Sequence, residues 1–136
     1  MKSLGLYKKE KLCSAIAIEA LFAPGGADFS RLVYPVRVLA RRNDRRSSDA
    51  PIAFLISVPK KRLRHAVDRV QMRRRIREAF RLNHHDYALP EGTRLDVAFV
   101  YVANELKPYS VVESAVKRIL ADMSAKFSPD NEVPAQ

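Results

Sequence analysis

Residues 57–81 read Ser57-Val58-Pro59-Lys60-Lys61-Arg62-Leu63-Arg64-His65-Ala66-Val67-Asp68-Arg69-Val70-Gln71-Met72-Arg73-Arg74-Arg75-Ile76-Arg77-Glu78-Ala79-Phe80-Arg81. This is a strand end, a basic connector and an arginine-rich helix in succession. Ile52 to Val58 is a short apolar run of strand length, stopped by Pro59. The helix is predicted over about Ala66 to Leu82. At about 100° per residue, Met72, Ile76, Ala79 and Phe80 fall within an arc of roughly 100°, wide enough for a core stripe. Arg74, Arg77 and Arg81 group on a neighbouring face, with Arg73 at its border. Arg69 projects onto the apolar arc one turn ahead of it, and periodicity alone leaves its placement open.

Charge is concentrated in this stretch. Lys60 to Arg81 holds ten cations against Asp68 and Glu78, a net +8 of the chain's +10. A solvated polar face is the ordinary meaning of a charged helix surface, but such faces mix signs. Here one sign dominates, and arginine outnumbers lysine eight to two. The i, i+4 row Arg69, Arg73, Arg77 and Arg81 costs an isolated helix about 0.2–0.5 kcal/mol per pair, so it needs a reason. Guanidinium forks match phosphate oxygens and stack on bases, which points to nucleic acid. Membrane-surface binding is disfavoured because the apolar side of this helix is needed for the core.

Working outward, Leu12, Ala15, Ile16, Leu21 and Phe22 recur at helical steps between about Glu10 and Phe22, ahead of the stop Pro24-Gly25-Gly26. Leu32 to Arg41 reads as a strand. Pro35 lacks an amide hydrogen, so this strand lies on an edge or begins after that residue. Part of Gly26 to Arg31 is a candidate for one more short strand, and Arg41 to Asp49 is a polar loop. Leu95 to Val102 is nearly continuous in apolarity, so both of its faces are expected to be covered. After Pro108, Ser110 and Glu113 have the spacing of a capping box. Val112, Val116, Ile119, Leu120, Met123 and Phe127 then form one apolar stripe.

The expected fold class is α+β, a central mixed sheet packed by helices in the order α-β-β-(β)-α-β-α. Front strands pair antiparallel, and the last strand runs parallel to its predecessor across the arginine helix. The 136 residues, 47% hydrophobic, make a single domain, 1–136, ordered over about 8–127 with a flexible tail, 128–136.

Cys13 is alone, which excludes an internal disulfide framework and points to a reducing compartment, where no disulfide-linked partner is expected. His65, His84 and His85 lack metal-ligand spacing. The N-terminus turns charged before a signal-peptide core forms, and no run reaches the roughly 18 apolar residues of a membrane span. A cytoplasmic protein is expected. No Asp/Glu/His cluster has the look of a nuclease metal site: Asp44 and Asp49 lie in a loop, and Asp68 and Glu78 are ten apart. No catalytic or metal-ligating residue is therefore assigned.

The run Ser57-Val58-Pro59-Lys60-Lys61, followed by Ala66-Val67-Asp68-Arg69-Val70-Gln71-Met72-Arg73-Arg74-Arg75-Ile76-Arg77-Glu78-Ala79-Phe80-Arg81, resembles the protein component of bacterial ribonuclease P. Arg69, Arg73, Arg74, Arg77, Glu78 and Arg81 fall in register on that family's helix pattern. The likeness covers about residues 8 to 127, and it is specific in the central third. There are departures. Val70 stands where the family usually has Asn, two extra cations, Arg62 and Arg64, stand between Lys61 and Ala66, and of two aromatics expected four apart in the first helix only Phe22 is present, with Ile18 at the other position.

The resemblance implies a left-handed βαβ crossover around the arginine helix. It implies binding to the catalytic ribonuclease P RNA and to precursor tRNA, assisting endonucleolytic removal of the 5′ leader. Catalysis and its Mg²⁺ would reside in the RNA-containing holoenzyme, with no cofactor on the protein alone. RNA contacts are expected at Lys60, Lys61, Arg62, Arg64, Arg69, Arg73, Arg74, Arg77 and Arg81. A groove between the first helix and the sheet would hold the leader, with Phe22, Tyr34, Val36, Phe54 and Ser57 as candidates beside Lys60. Strand alternation alone does not say which of these faces is wet. The rival readings are a general or ribosomal RNA-binding protein without a role in cleavage, and a protein-only nuclease using Asp68 or Glu78.

Overall fold

The structure is a computed structural model that describes residues 15–43, 52–84, 87 and 94–127. In chain order they form α1 (Ala15–Phe22), β1 (Phe29–Val33), β2 (Val36–Arg42), β3 (Ile52–Ser57), α2 (Ala66–Asn83), β4 (Leu95–Tyr101) and α3 (Tyr109–Lys126). The α+β order is as expected, with the extra early strand present as β1. The start of the expected first helix, Cys13, His85, most of the polar loop 41–49 and the tail 128–136 lie outside the described residues.

The stretch Leu32 to Arg41 is not one strand. It reverses at Tyr34-Pro35, whose peptide bond is cis, and Val33 pairs with Val36 across the turn. Pro35 has no amide hydrogen to give a ladder, so the second strand begins just after it. The sheet order is β1-β2-β4-β3. β4 runs antiparallel to β2 and parallel to β3, and α2 is the connection that parallel neighbours require. β4 therefore enters between two strands that are consecutive in the chain.

Alternation along the strands divides the interior. Val36, Val38 and Ala40, then Phe54, then Leu95, Val97, Phe99 and Tyr101 face the main core with the apolar stripes of α2 and α3. The Phe54 and Phe80 rings lie 4.6 Å apart, and Phe99 closes the cluster 5.7 Å from Phe80. Leu21, Ala53 and Ala98 form a smaller core on the opposite face, with Ala17, Ile18, Leu39 and Leu55 packed against it. β4 is thus covered on both sides, as its composition requires. Its one buried charge, Asp96, accepts a hydrogen bond from the Asn43 amide at 2.8 Å.

Two local expectations are corrected. Within α1, Ile16 and Phe22 are exposed, and the buried arc is Ala17, Ile18 and Leu21. An eight-residue helix with apolar side chains nearly all round has no polar face to orient it; the Ala-rich sheet surface selects the side. At the start of α3, Ser110 does not cap. Pro108 occupies the N-cap with extended backbone, and Glu113 instead receives the Asn83 amide at 3.1 Å. A long-range buried donor thus displaces the local capping box.

The end of α1 depends on Gly25 and Gly26. Gly25 has φ +72°, the left-handed conformation that ends helices, with open space where a Cβ would stand. At Gly26 a Cβ would lie 1.9 Å from the Ala20 carbonyl oxygen, which is backbone and cannot swing aside. Gly26→Ala is expected to lower stability by about 2–4 kcal/mol, measured by urea unfolding, and Gly25→Ala by only about 1–2 kcal/mol. The reverse ranking would refute the close approach.

Candidate nucleic-acid interface

The basic connector is a folded turn. The amides of Arg62 and Leu63 both donate to the Pro59 carbonyl, at 2.9 and 3.3 Å, and Val58 and Leu63 drop into the main core. Arg69, whose position periodicity left open, reaches back from α2. One of its guanidinium nitrogens donates to the carbonyls of Leu63 and Arg64, each at 2.9 Å. It therefore fastens the connector to the helix, and Lys60, Lys61 and Arg64 stay exposed at the surface.

On α2 the structure separates the arginines by what they touch. Met72, Ile76, Ala79 and Phe80 are fully buried, as the arc predicts. Arg74 and Arg77 are exposed and Arg73 is half-buried beside them. Arg81 forms a two-point pair with Glu78, its Nε donating at 3.0 Å. The hydrogen bond from Arg81 holds the Glu78 carboxyl below its ordinary value of 4.5. Asp68, in the first turn of α2, suits the positive end of the helix dipole.

Two more arginines hold a connection distant in sequence. Arg75 donates to the Lys107 carbonyl at 2.6 Å, and Arg62 to the Asn104 side-chain oxygen at 3.2 Å. The Tyr101 hydroxyl donates to the Glu105 carbonyl at 2.5 Å. The segment between β4 and α3 is thereby tied both to the basic connector and to the middle of α2. No local periodicity announces these contacts, because the partners are 32 and 42 residues apart.

An open groove of about 590 Å³ lies between the end of α1 and the second face of the sheet. Phe22, Leu21 and Pro24 wall one side, Arg37, Leu39 and Val100 form its sheet side, and Lys61 and Arg62 stand at the rim. Phe22, an expected leader contact, is there and 46% exposed. Ser57 is the cross-strand neighbour of Val100 on the same sheet face. Val36 and Phe54 are not: they are 0% and 5% exposed inside the main core, because alternation turns them to the α2–α3 side. Tyr34 is exposed but lies at the hairpin turn, with the Lys107 ammonium 5.6 Å from its ring centre, and is not among the described residues lining the groove. Arg37, at the sheet side of the groove, is the polar group that the sequence reading missed. Its alternation with Val36 and Val38 was the available signal.

Among the described residues no group of three or more His, Cys, Asp or Glu side chains comes together to hold a metal ion. No described helix is long and apolar enough to cross a membrane.

Comparison of the sequence with known proteins places this basic segment in a family. The family described as ribonuclease P matches residues 6–124. The chain belongs to the ribonuclease P protein family. Relatives named ribonuclease P protein component from two strains of Porphyromonas gingivalis are each 36% identical to it, over 121 and 124 residues. Each alignment covers 87% of this chain and 85% of the relative. No solved structure matches it significantly. Membership of the family carries a role in ribonuclease P and in tRNA processing, as a subunit of that enzyme.

Proposed function

We propose that this protein binds the ribonuclease P RNA through the Arg73, Arg74 and Arg77 face of α2 together with Lys60, Lys61 and Arg64. In the same assembly it holds the 5′ leader of precursor tRNA in the groove beside Phe22 and Arg37. The observation that carries the reading is the sorting of cations on one short segment. Arg69 and Arg75 are spent on backbone carbonyls, Arg81 is paired with Glu78, and a coherent set is left facing outward.

The chemistry in this reading is metal-assisted phosphodiester hydrolysis by the RNA, with Mg²⁺ in the RNA-containing holoenzyme. The protein's residues bind and neutralise. Guanidinium groups release condensed counterions and lower the repulsion between two polyanions that must meet. The groove offers an aromatic ring, apolar walls and flanking cations, which suit single-stranded nucleotides of any sequence. Arg37, Lys61 and Arg62 all line the groove, so the leader's phosphates are favoured there.

Reconstitution tests this directly. Added to ribonuclease P RNA at low magnesium, the protein is expected to restore cleavage of precursor tRNA at the 5′ end of the mature sequence. Affinity for the RNA without that rescue would indicate a general RNA-binding protein instead. Cleavage by the protein alone, abolished by Asp68→Asn or Glu78→Gln, would move the chemistry onto the protein.

A further inference from the structure

A second concavity, of about 480 Å³, opens between α2 and the start of α3. Gln71, Arg74, Arg75, Arg77, Glu78 and Arg81 line it from α2, and Tyr109 lines it from α3. Its volume is within the roughly 300–1,000 Å³ of sites that take small organic groups. Four guanidinium groups against one carboxylate give it a strong positive balance, and that carboxylate is already paired with Arg81.

Tyr109 is the feature that a plain phosphate-binding surface does not need. The ring packs against the main core and also borders the notch, so it is held by packing. The hydroxyl donates to Glu113 at 3.3 Å, and the same Glu113 oxygen accepts the buried Asn83 amide. Asn83 in turn donates to the Ala79 carbonyl, which links the ring's orientation to α2. Burial, followed by the charge of Glu113, pushes the phenol up to about 12. Gln71 supplies an exposed amide that can both donate to and accept from a base edge.

We propose that this notch receives one unpaired nucleotide of the bound RNA, its base stacked on Tyr109 and its phosphate held by Arg74 and Arg77. The proposal rests on the RNA-binding reading and adds a single-nucleotide site to it. A duplex cannot enter such a concavity, because stacking on a side chain requires a base that has left its helix. The partner is therefore a bulged or looped nucleotide of a structured RNA.

The test uses the full chain and the ribonuclease P RNA, with affinity measured across a range of salt. Tyr109→Leu keeps apolar packing but removes the aromatic face, and it is expected to weaken binding about tenfold with the salt slope unchanged. Tyr109→Phe keeps the ring and is expected to bind within about twofold of the unaltered protein. Arg77→Ala, in contrast, lowers the slope by about one counterion. Wild-type affinity in a folded Tyr109→Leu protein, or a loss that follows the salt slope, overturns the notch. If Tyr109→Leu fails to fold, ultraviolet crosslinking of the unaltered complex decides. An RNA adduct on Tyr109 supports the site, and adducts on α2 with none on Tyr109 overturn it. Failure of the unaltered protein to bind the RNA in a salt-dependent manner refutes the wider RNA reading. Tight binding that Tyr109→Leu leaves unchanged refutes the notch alone.

Discussion

Replacing Arg73, Arg74 and Arg77 together by alanine is expected to weaken binding to ribonuclease P RNA by on the order of 10³-fold at low salt. Hydrogen bonds to charged groups are worth about 1.5–3 kcal/mol each, and three such losses near the lower end give that factor. The slope of log affinity against log salt should fall by about 2–3, one counterion or slightly less for each cation removed. The fold should survive. Arg74 and Arg77 are exposed, alanine is the best helix former, and the change relieves like-charge repulsion within α2. Thermal unfolding of the triple variant should therefore stay close to that of the parent. A variant that melts normally yet keeps its full salt slope would remove this face from the interface. Arg75→Ala is the informative contrast, since its guanidinium holds the Lys107 carbonyl and its loss acts first on the segment between β4 and α3.

Phe80→Ala is expected to cost about 3–5 kcal/mol of stability, because the ring is fully buried and the surrounding side chains relax only partly into the hole. Phe80 lies against Phe54 and Phe99, and the His84 ring stacks parallel on it at 4.6 Å. It is the point at which the arginine helix is anchored to the sheet. Against a typical total of about 5–15 kcal/mol, the loss is a large fraction. The midpoint of thermal unfolding should drop by roughly 10–20 °C. RNA affinity, measured well below that midpoint, should change little, because Phe80 is buried in the core while Arg74 and Arg77 are exposed on the neighbouring face of α2. A variant that unfolds like the parent would show that α2 is held by something other than this aromatic cluster.

These two predictions act on neighbouring faces of one helix, and that division was legible in the sequence. Met72, Ile76, Ala79 and Phe80 against Arg74 and Arg77 follow from 3.6-residue periodicity, which needs no partner to be read. The stripe of α3 and the two-sided burial of β4 were legible for the same reason. Phe54 and Val36 were not. A strand's alternation says that two faces exist but not which of them meets α2 and which meets α1, so both residues were plausible groove contacts and both are core. Ser110 illustrates a different limit. Its spacing to Glu113 satisfies a local rule, but buried Asn83 offers Glu113 a donor from 30 residues away.

The sequence by itself determined most of the elements, though not the hairpin at Tyr34-Pro35, together with the concentration of charge on one helix and the family pattern, since these depend on neighbours along the chain. Only the tertiary structure decided that β4 enters between β2 and β3, which arginines are consumed by carbonyls and carboxylates, and that Tyr109 borders the arginine face. The physical reason is range. Periodicity and turn chemistry are short-range properties of the backbone, whereas a guanidinium's availability depends on whichever acceptor the folded chain happens to place within 3 Å of it.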